Sequence, residues 1–191
     1  MLIFFEQKLT FLAVPKTGTT AVELTLRPKA DIIFGRNRKH MTAMRHRKKI
    51  VPFLQDTFGL KNESVAVMRD PIDQIGSWFR YLRRPTITDP DRSTRSRTFD
   101  EFVEAVILDE PPLFASIGSQ YNFLTSNRGR MLVSHLFAYE DQPQFRAFLS
   151  DRFGEELQFK NRNVSPKLKL ELSPSVEAKL RAARAKEFTL Y

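Results

Sequence analysis

Phe11-Leu-Ala-Val-Pro-Lys-Thr-Gly-Thr-Thr20 is the stretch from which the fold can be read. Phe11 to Val14 is an apolar run too short for a helix and suited to a buried central strand. Pro15 ends strand pairing because it has no N–H to donate. Gly18 opens backbone conformations closed to other residues and lets a ligand come close. From Thr19 to Leu26 the spacing becomes helical, with Val22 and Leu26 on one side. The stretch predicts strand, tight turn and helix. The N–H groups at that helix start, with Lys16 beside them and the hydroxyls of Thr17, Thr19 and Thr20 nearby, would face an anion. A structural turn with an incidental lysine is the alternative.

The order of residues differs from the common phosphate loop, G-x-x-x-x-G-K-[ST], where the lysine follows the last glycine. Here Lys16 precedes Gly18.

A second strand-turn-helix follows. Ser64 to Met68 reads as a buried strand, and Arg69-Asp70-Pro71 ends it. Asp70 suits an N-cap and Pro71 the first helical position. The helix from Pro71 to about Arg84 places Ile72, Ile75, Phe79 and Leu82 on one stripe, with Ser77 off it. A strand-end arginine offers a forked, permanently charged donor to a phosphate, and a helix serine can complete the contact. A buried Arg–Asp pair with a solvent-facing serine is the structural alternative.

Pro15-Lys-Thr-Gly-Thr-Thr20 resembles the 5′-phosphosulfate loop of the sulfotransferases that use 3′-phosphoadenosine 5′-phosphosulfate (PAPS). Val67 to Phe79, with Arg-Asp-Pro followed by Ser77-Trp-Phe79, resembles their 3′-phosphate motif. Lys39-His-Met-Thr-Ala43 is similar to a segment of the Golgi-type carbohydrate sulfotransferases and their small bacterial relatives. Ser119-Gln120, Phe137-Ala-Tyr-Glu140 and Asn163-Val-Ser165 also look like that branch. Asp70 stands where many relatives carry asparagine, and both residues cap helices. The basic, glycine-containing C-terminal motif of the cytosolic branch is absent, so the sequence leaves the adenine contacts unassigned.

The resemblance implies one P-loop-like α/β domain over residues 1–191, with a central, mostly parallel sheet flanked by helices. It implies transfer of a sulfuryl group from PAPS to an acceptor hydroxyl, on a saccharide or glycoconjugate, leaving adenosine 3′,5′-bisphosphate and requiring no metal. Pro15, Lys16, Thr17, Gly18, Thr19, Thr20, Arg69 and Ser77 would hold the donor, and Lys16 would also act in catalysis. His40, in the matched segment, is the candidate base, since a neutral imidazole accepts a proton near pH 7. Glu23 is an acidic alternative. His46, in a run of cations, reads as solvated, and His135 as packed in a strand.

Composition narrows the classes. With 17 Phe and 41% hydrophobic residues among 191, the chain can bury a core. There is no cysteine, hence no thiolate chemistry. No apolar run approaches the roughly 18 residues of a membrane helix. The start meets Glu6 at once and lacks a basic leader, so a cytoplasmic protein without stable membrane insertion is expected. The net charge of +9 favours anionic partners. Arg36 to Lys49 has no interleaved aromatics to stack bases, which speaks against nucleic acid. A kinase with a variant phosphate loop and a basic polyanion-binding module remain as other readings. The sequence gives no oligomeric state.

The rest of the chain reads as a strand pair at Leu2–Phe5 and Leu9–Val14, a basic helix from Met41 to Ile50 limited by Pro52, and a polar loop over residues 85–97. Thr98 and Glu101 form a capping box for a helix to Leu108. Further helices are predicted at Leu113–Leu124, Gln142–Phe153 and from Ser173-Pro174, with Val176, Leu180 and Ala183 inward, and a strand at Met131–Tyr139.

Overall fold

The computed structural model describes residues 1–159 and 170–191. In chain order its elements begin with β1 (Leu2–Phe4), β2 (Leu9–Leu12), α1 (Thr19–Leu26), β3 (Ile32–Ile33), α2 (Ala43–Arg45), α3 (Val51–Phe58) and β4 (Glu63–Met68). Then come α4 (Pro71–Leu82), α5 (Phe99–Val106), α6 (Gln120–Leu124), β5 (His135–Ala138), α7 (Gln142–Phe153), α8 (Pro174–Ala183) and α9 (Ala185–Leu190). The chain divides into two compact units: Met1–Arg69 with Gln120–Arg162, and Asp70–Ser119 with Asn163–Tyr191.

The first unit holds one five-stranded sheet in the order β3-β1-β2-β4-β5. The expected strand pair is an antiparallel hairpin, with Leu2 opposite Phe11 and Phe4 opposite Leu9. β3 adds to β1, also antiparallel. The other side is parallel: β2 on β4 with Leu12 opposite Ala66, and β4 on β5 with Met68 opposite Ala138. Every residue of β1 and β2 is buried, and all but Thr10 are apolar. Phe4, Phe11, Val65 and Val67 from the sheet pack with Val22 and Leu26 of α1 and Phe145 and Leu149 of α7. Burial of such side chains contributes roughly 1.5–3 kcal/mol each.

The second unit is helical among its described residues. The Asp70 carboxylate accepts from the Asp73 N–H at 2.9 Å, and Pro71 lies in the first turn of α4. Ile75, Phe79 and Leu82 are buried with Phe99 and Phe102 of α5 and Val176 and Leu180 of α8, while Ile72 is half-buried. The capping box forms in full: Thr98 N–H donates to Glu101 at 2.7 Å, and Glu101 N–H to Thr98 at 3.2 Å.

Several readings need correction. The basic helix starts at Ala43 and does not stop near Ile50; it passes through a π-helical turn, His46–Ile50, into α3. Pro52 lies in the first turn of α3, the position where a missing N–H is tolerated. Leu113–Leu124 is not one helix, because Gly118 adopts φ 74 and separates a 3-10 turn at Leu113–Ala115 from α6. Only His135–Ala138 of Met131–Tyr139 is strand, and Met131 instead bridges to Thr125. The polar loop over residues 85–97 is pinned at one point: Thr94 is fully buried and its hydroxyl donates to the Phe79 carbonyl at 2.9 Å. Ala183 is exposed, not inward. Asn163 to Ser165 lie outside the described residues.

Two histidines also differ from expectation. His135 is half-buried, with Nε2 3.1 Å from the Glu63 carboxylate, which Arg152 also contacts. His46 is not solvated; it is 3% exposed, and its Nε2 has no hydrogen-bond partner among the described residues. The chain turns this position toward the core because Ala43, His46, Ile50 and Leu54 fall on one buried stripe. Burial lowers its pKa to about 4. The unfolded chain therefore takes up its proton near pH 6.5 while the folded chain resists until about pH 4. Stability present above pH 6.5 should fall as the pH drops toward 4. Chemical denaturation of wild type and His46→Leu across that range checks this: the wild type should lose more stability on acidification, and parallel curves would contradict the assignment.

Candidate active site

The site is built where β2 and β4 end. They are adjacent and parallel, so the segments after Leu12 and after Met68 leave the sheet at the same edge. In open α/β sheets this is where ligands bind.

After β2 the backbone turns sharply. Lys16 adopts φ 68 and Gly18 φ 72. For lysine this left-handed conformation costs roughly 1–2 kcal/mol, so the surrounding structure must hold it. The buried Thr17 hydroxyl does part of this by donating to the Val14 carbonyl at 3.0 Å. Thr19 is buried and Thr20 exposed; Pro15 and Lys16 are half-buried.

Gly18 is the N-cap of α1, which carries no side-chain cap and no acidic residue in its first turn. By contrast, Asp70, Thr98 and Asp141 cap α4, α5 and α7 with side-chain hydrogen bonds. The first N–H groups of a helix lack intrahelical partners and carry partial positive charge. With Lys16 adjacent, this end of α1 has the chemistry of an anion cradle.

After β4 comes Arg69, half-buried. Its peptide is held by the Gln120 side chain: Arg69 N–H donates to Oε1 at 2.9 Å, and Nε2 donates to the Arg69 carbonyl at 2.8 Å. Its guanidinium lies over the Tyr139 ring, 4.6 Å from the centroid. Tyr139 follows β5 and donates its N–H to the Met68 carbonyl at 2.6 Å. Gly18 also lies against that ring: an added Cβ there would meet Tyr139 Cε2 at 2.9 Å. One aromatic ring thus joins the Lys16–Gly18 turn to Arg69.

His40 lies beside the same turn. Its Nδ1 is 2.7 Å from the Ala13 carbonyl. A carbonyl only accepts, so Nδ1 carries the proton and Nε2 the lone pair. The residue as a whole is exposed, while its Nδ1 end is part-buried against the end of β2. Desolvation holds its pKa below the usual histidine value, Lys39 pushes the same way, and the Ala13 hydrogen bond opposes both. Glu23, half-buried on α1, pairs with Lys39 at 2.9 Å.

Lys16, Thr17, Gly18, Thr19, His40 and Arg69 all fall in the first unit, and Ser77 in the second. Ser77 is 8% exposed on α4, where the sequence places it off the apolar stripe. Gln120 and Tyr139 have contacts to the site that their sequence context did not assign. Tyr139 could have been suspected, since it follows a parallel strand as Arg69 does. Ser119-Gln120 and Phe137–Glu140 stood out only by resemblance, which gave neither residue a role. Among the described residues no helix is long and apolar enough to cross a membrane.

Neither a protein-family model nor a curated protein matches the chain. Among solved structures the chain is similar to the crystal structure of the mouse sulfotransferase SULT7A1 complexed with PAP, at 17% identity and a TM-score of 0.45, over 100% of this chain and 68% of that one.

Gly18→Ala should destabilise the protein by about 1–2 kcal/mol from backbone conformation alone, and by more because of Tyr139. In a Tyr139→Ala background the cost should shrink toward the backbone value. Denaturation of the single and double variants tests this, and strictly additive effects would rule out the contact.

Proposed function

We propose that this chain is a sulfotransferase that moves a sulfuryl group from PAPS to an acceptor hydroxyl. The observation that carries the reading is the shared ring of Tyr139, which packs both against Gly18 of the first motif and under Arg69 of the second. The two stretches that resemble the 5′-phosphosulfate loop and the 3′-phosphate motif thereby meet at one sheet edge. A donor with two anionic ends suits a cationic pair of this kind. Lys16 and the α1 amides would take the 5′ end, with Pro15, Thr17, Thr19 and Thr20 shaping the turn. Arg69 would take the 3′-phosphate; Ser77, the second donor that the resemblance implies, belongs to the other unit.

PAPS, when bound, supplies a sulfuryl group on a bridging oxygen whose leaving carries negative charge. The work left to the protein is positioning and charge stabilisation, as in phosphoryl transfer. Lys16 and the α1 N-terminus place positive charge where that negative charge grows. His40 Nε2 takes the proton of the acceptor hydroxyl as the new S–O bond forms. Ala13 favours this role by fixing the tautomer with Nε2 unprotonated. Desolvation of its Nδ1 end against the end of β2 favours the neutral ring. Glu23 is the weaker base, because its carboxylate already faces Lys39.

The acceptor class rests on the Lys39–Ala43 resemblance to the carbohydrate branch and on Arg36, Arg38 and Arg45, exposed cations on either side of His40 in the chain. A saccharide or glycoconjugate is the proposed acceptor.

Calorimetry with adenosine 3′,5′-bisphosphate is the decisive test. Binding below millimolar is expected, and none at millimolar ligand would end the proposal. Preference for ATP with Mg²⁺ would favour a kinase. Tight DNA binding that survives Lys16→Ala and Arg69→Ala would favour a polyanion module. Arg69→Ala should weaken the bisphosphate by roughly 2–4 kcal/mol. Lys16→Ala should lose turnover far more than affinity. His40→Ala should cut turnover by about 10²–10⁴-fold and leave bisphosphate binding intact. The wild-type rate should rise with pH along a limb whose midpoint lies below the usual histidine pKa.

A further inference from the structure

β4 ends at Met68, and the strand pairing stops there, with Met68 opposite Ala138. On the other side the last paired residue of β4 is Ala66, opposite Leu12. Arg69 therefore stands one residue beyond the ladder. A long side chain leaving an unanchored peptide could point in many directions, and ordering it on ligand binding costs conformational entropy.

The first residue of α6 supplies the missing anchor. The Gln120 carboxamide accepts from the Arg69 N–H and donates to the Arg69 carbonyl, at 2.9 and 2.8 Å. This pair of bonds copies what a neighbouring strand would offer, and Gln120 is 1% exposed. A buried carboxamide in that place fixes the direction in which Cβ of Arg69 leaves the chain. Tyr139 holds the other end of the same side chain, with its ring 4.6 Å from the guanidinium carbon. Arg69 is thus restrained at both ends before any ligand arrives.

We infer that Gln120 is a positioning residue for recognition of the donor's 3′-phosphate, acting through the Arg69 peptide. The inference rests on the donor reading proposed above, and it concerns selectivity between nucleotides rather than the chemical step. Gln120 makes no contact with the ligand in this account. Its loss should leave the 5′-phosphate site at the α1 N-terminus alone, because that site is built on a different strand end.

The test compares two nucleotides, adenosine 3′,5′-bisphosphate and adenosine 5′-phosphate, by calorimetry on the full chain. The ratio of their affinities reports the 3′-phosphate contact. Gln120→Ala should lower that ratio by about 10-fold or more, by analogy with the outer partners of metal ligands, while adenosine 5′-phosphate binds as in wild type. Arg69→Ala should lower the ratio at least as much, and the Gln120→Ala/Arg69→Ala double variant should lose no more than Arg69→Ala. Gln120→Glu guards against a misfolded alanine variant. It keeps an acceptor for the Arg69 N–H, removes the donor to the carbonyl, and should give an intermediate ratio. An unchanged ratio in Gln120→Glu and Gln120→Ala, or an equal loss for both nucleotides, overturns the inference. Failure of the wild type to bind the bisphosphate at all would instead overturn the donor reading itself.

Discussion

The parallel pairing of β2 with β4 is the constraint on which the candidate site depends. Strands that run the same way, side by side, must end at the same edge. Whatever follows Leu12 and whatever follows Met68 therefore become neighbours, although most of the first unit's helices and turns lie between them in the chain. Had these strands paired antiparallel, Lys16 and Arg69 would stand at opposite edges of the sheet. The third parallel strand, β5, delivers Tyr139 to the same edge. The hairpin of β1 and β2 sets the parallel strands against a fully buried neighbour, so their register is held by burial as well as hydrogen bonding.

Around that edge the structure accepts local costs. Lys16 is left-handed, α1 begins without a side-chain cap, and two cations share one region. None of these choices helps a fold for its own sake. The glycine N-cap of α1 forgoes roughly a few tenths of a kcal/mol against the side-chain caps that Asp70 and Thr98 supply at α4 and α5. A strained lysine backbone at one strand end is the pattern expected of a binding site.

Electrostatics separates the candidate bases. His40 hydrogen-bonds through Nδ1 to a carbonyl, which settles its tautomer, and partial burial disfavours the imidazolium. Glu23 and Lys39 neutralise one another beside it. The same ion pair ties α1, which opens at the Lys16 turn, to the segment that carries His40. His46 illustrates the contrast. It is buried more completely, its pKa falls to about 4, and it lies on the core stripe of its helix. Its environment suits packing rather than proton transfer.

Local chemistry made much of the chain legible in advance. Apolar runs ended by Pro15 and by Asp70-Pro71 marked two strand-turn-helix units, and the Thr98–Glu101 spacing marked a capping box that forms in full. These signals are readable because each depends on residues a few positions apart. Helix ends near Pro52 and Gly118 were misjudged because a π turn and a left-handed glycine redirect the backbone in ways composition does not show. The burial of His46 was missed because a cationic neighbourhood in sequence says nothing about which helix face meets the core. What the sequence alone determined was the kind of turn after β2 and the kind of cation after β4. Only the tertiary structure decided that they meet, that Tyr139 lies against both, and that Gln120 holds the Arg69 peptide. Those contacts join residues distant in the chain, and parallel strand pairing, which no local pattern encodes, is what brings them together.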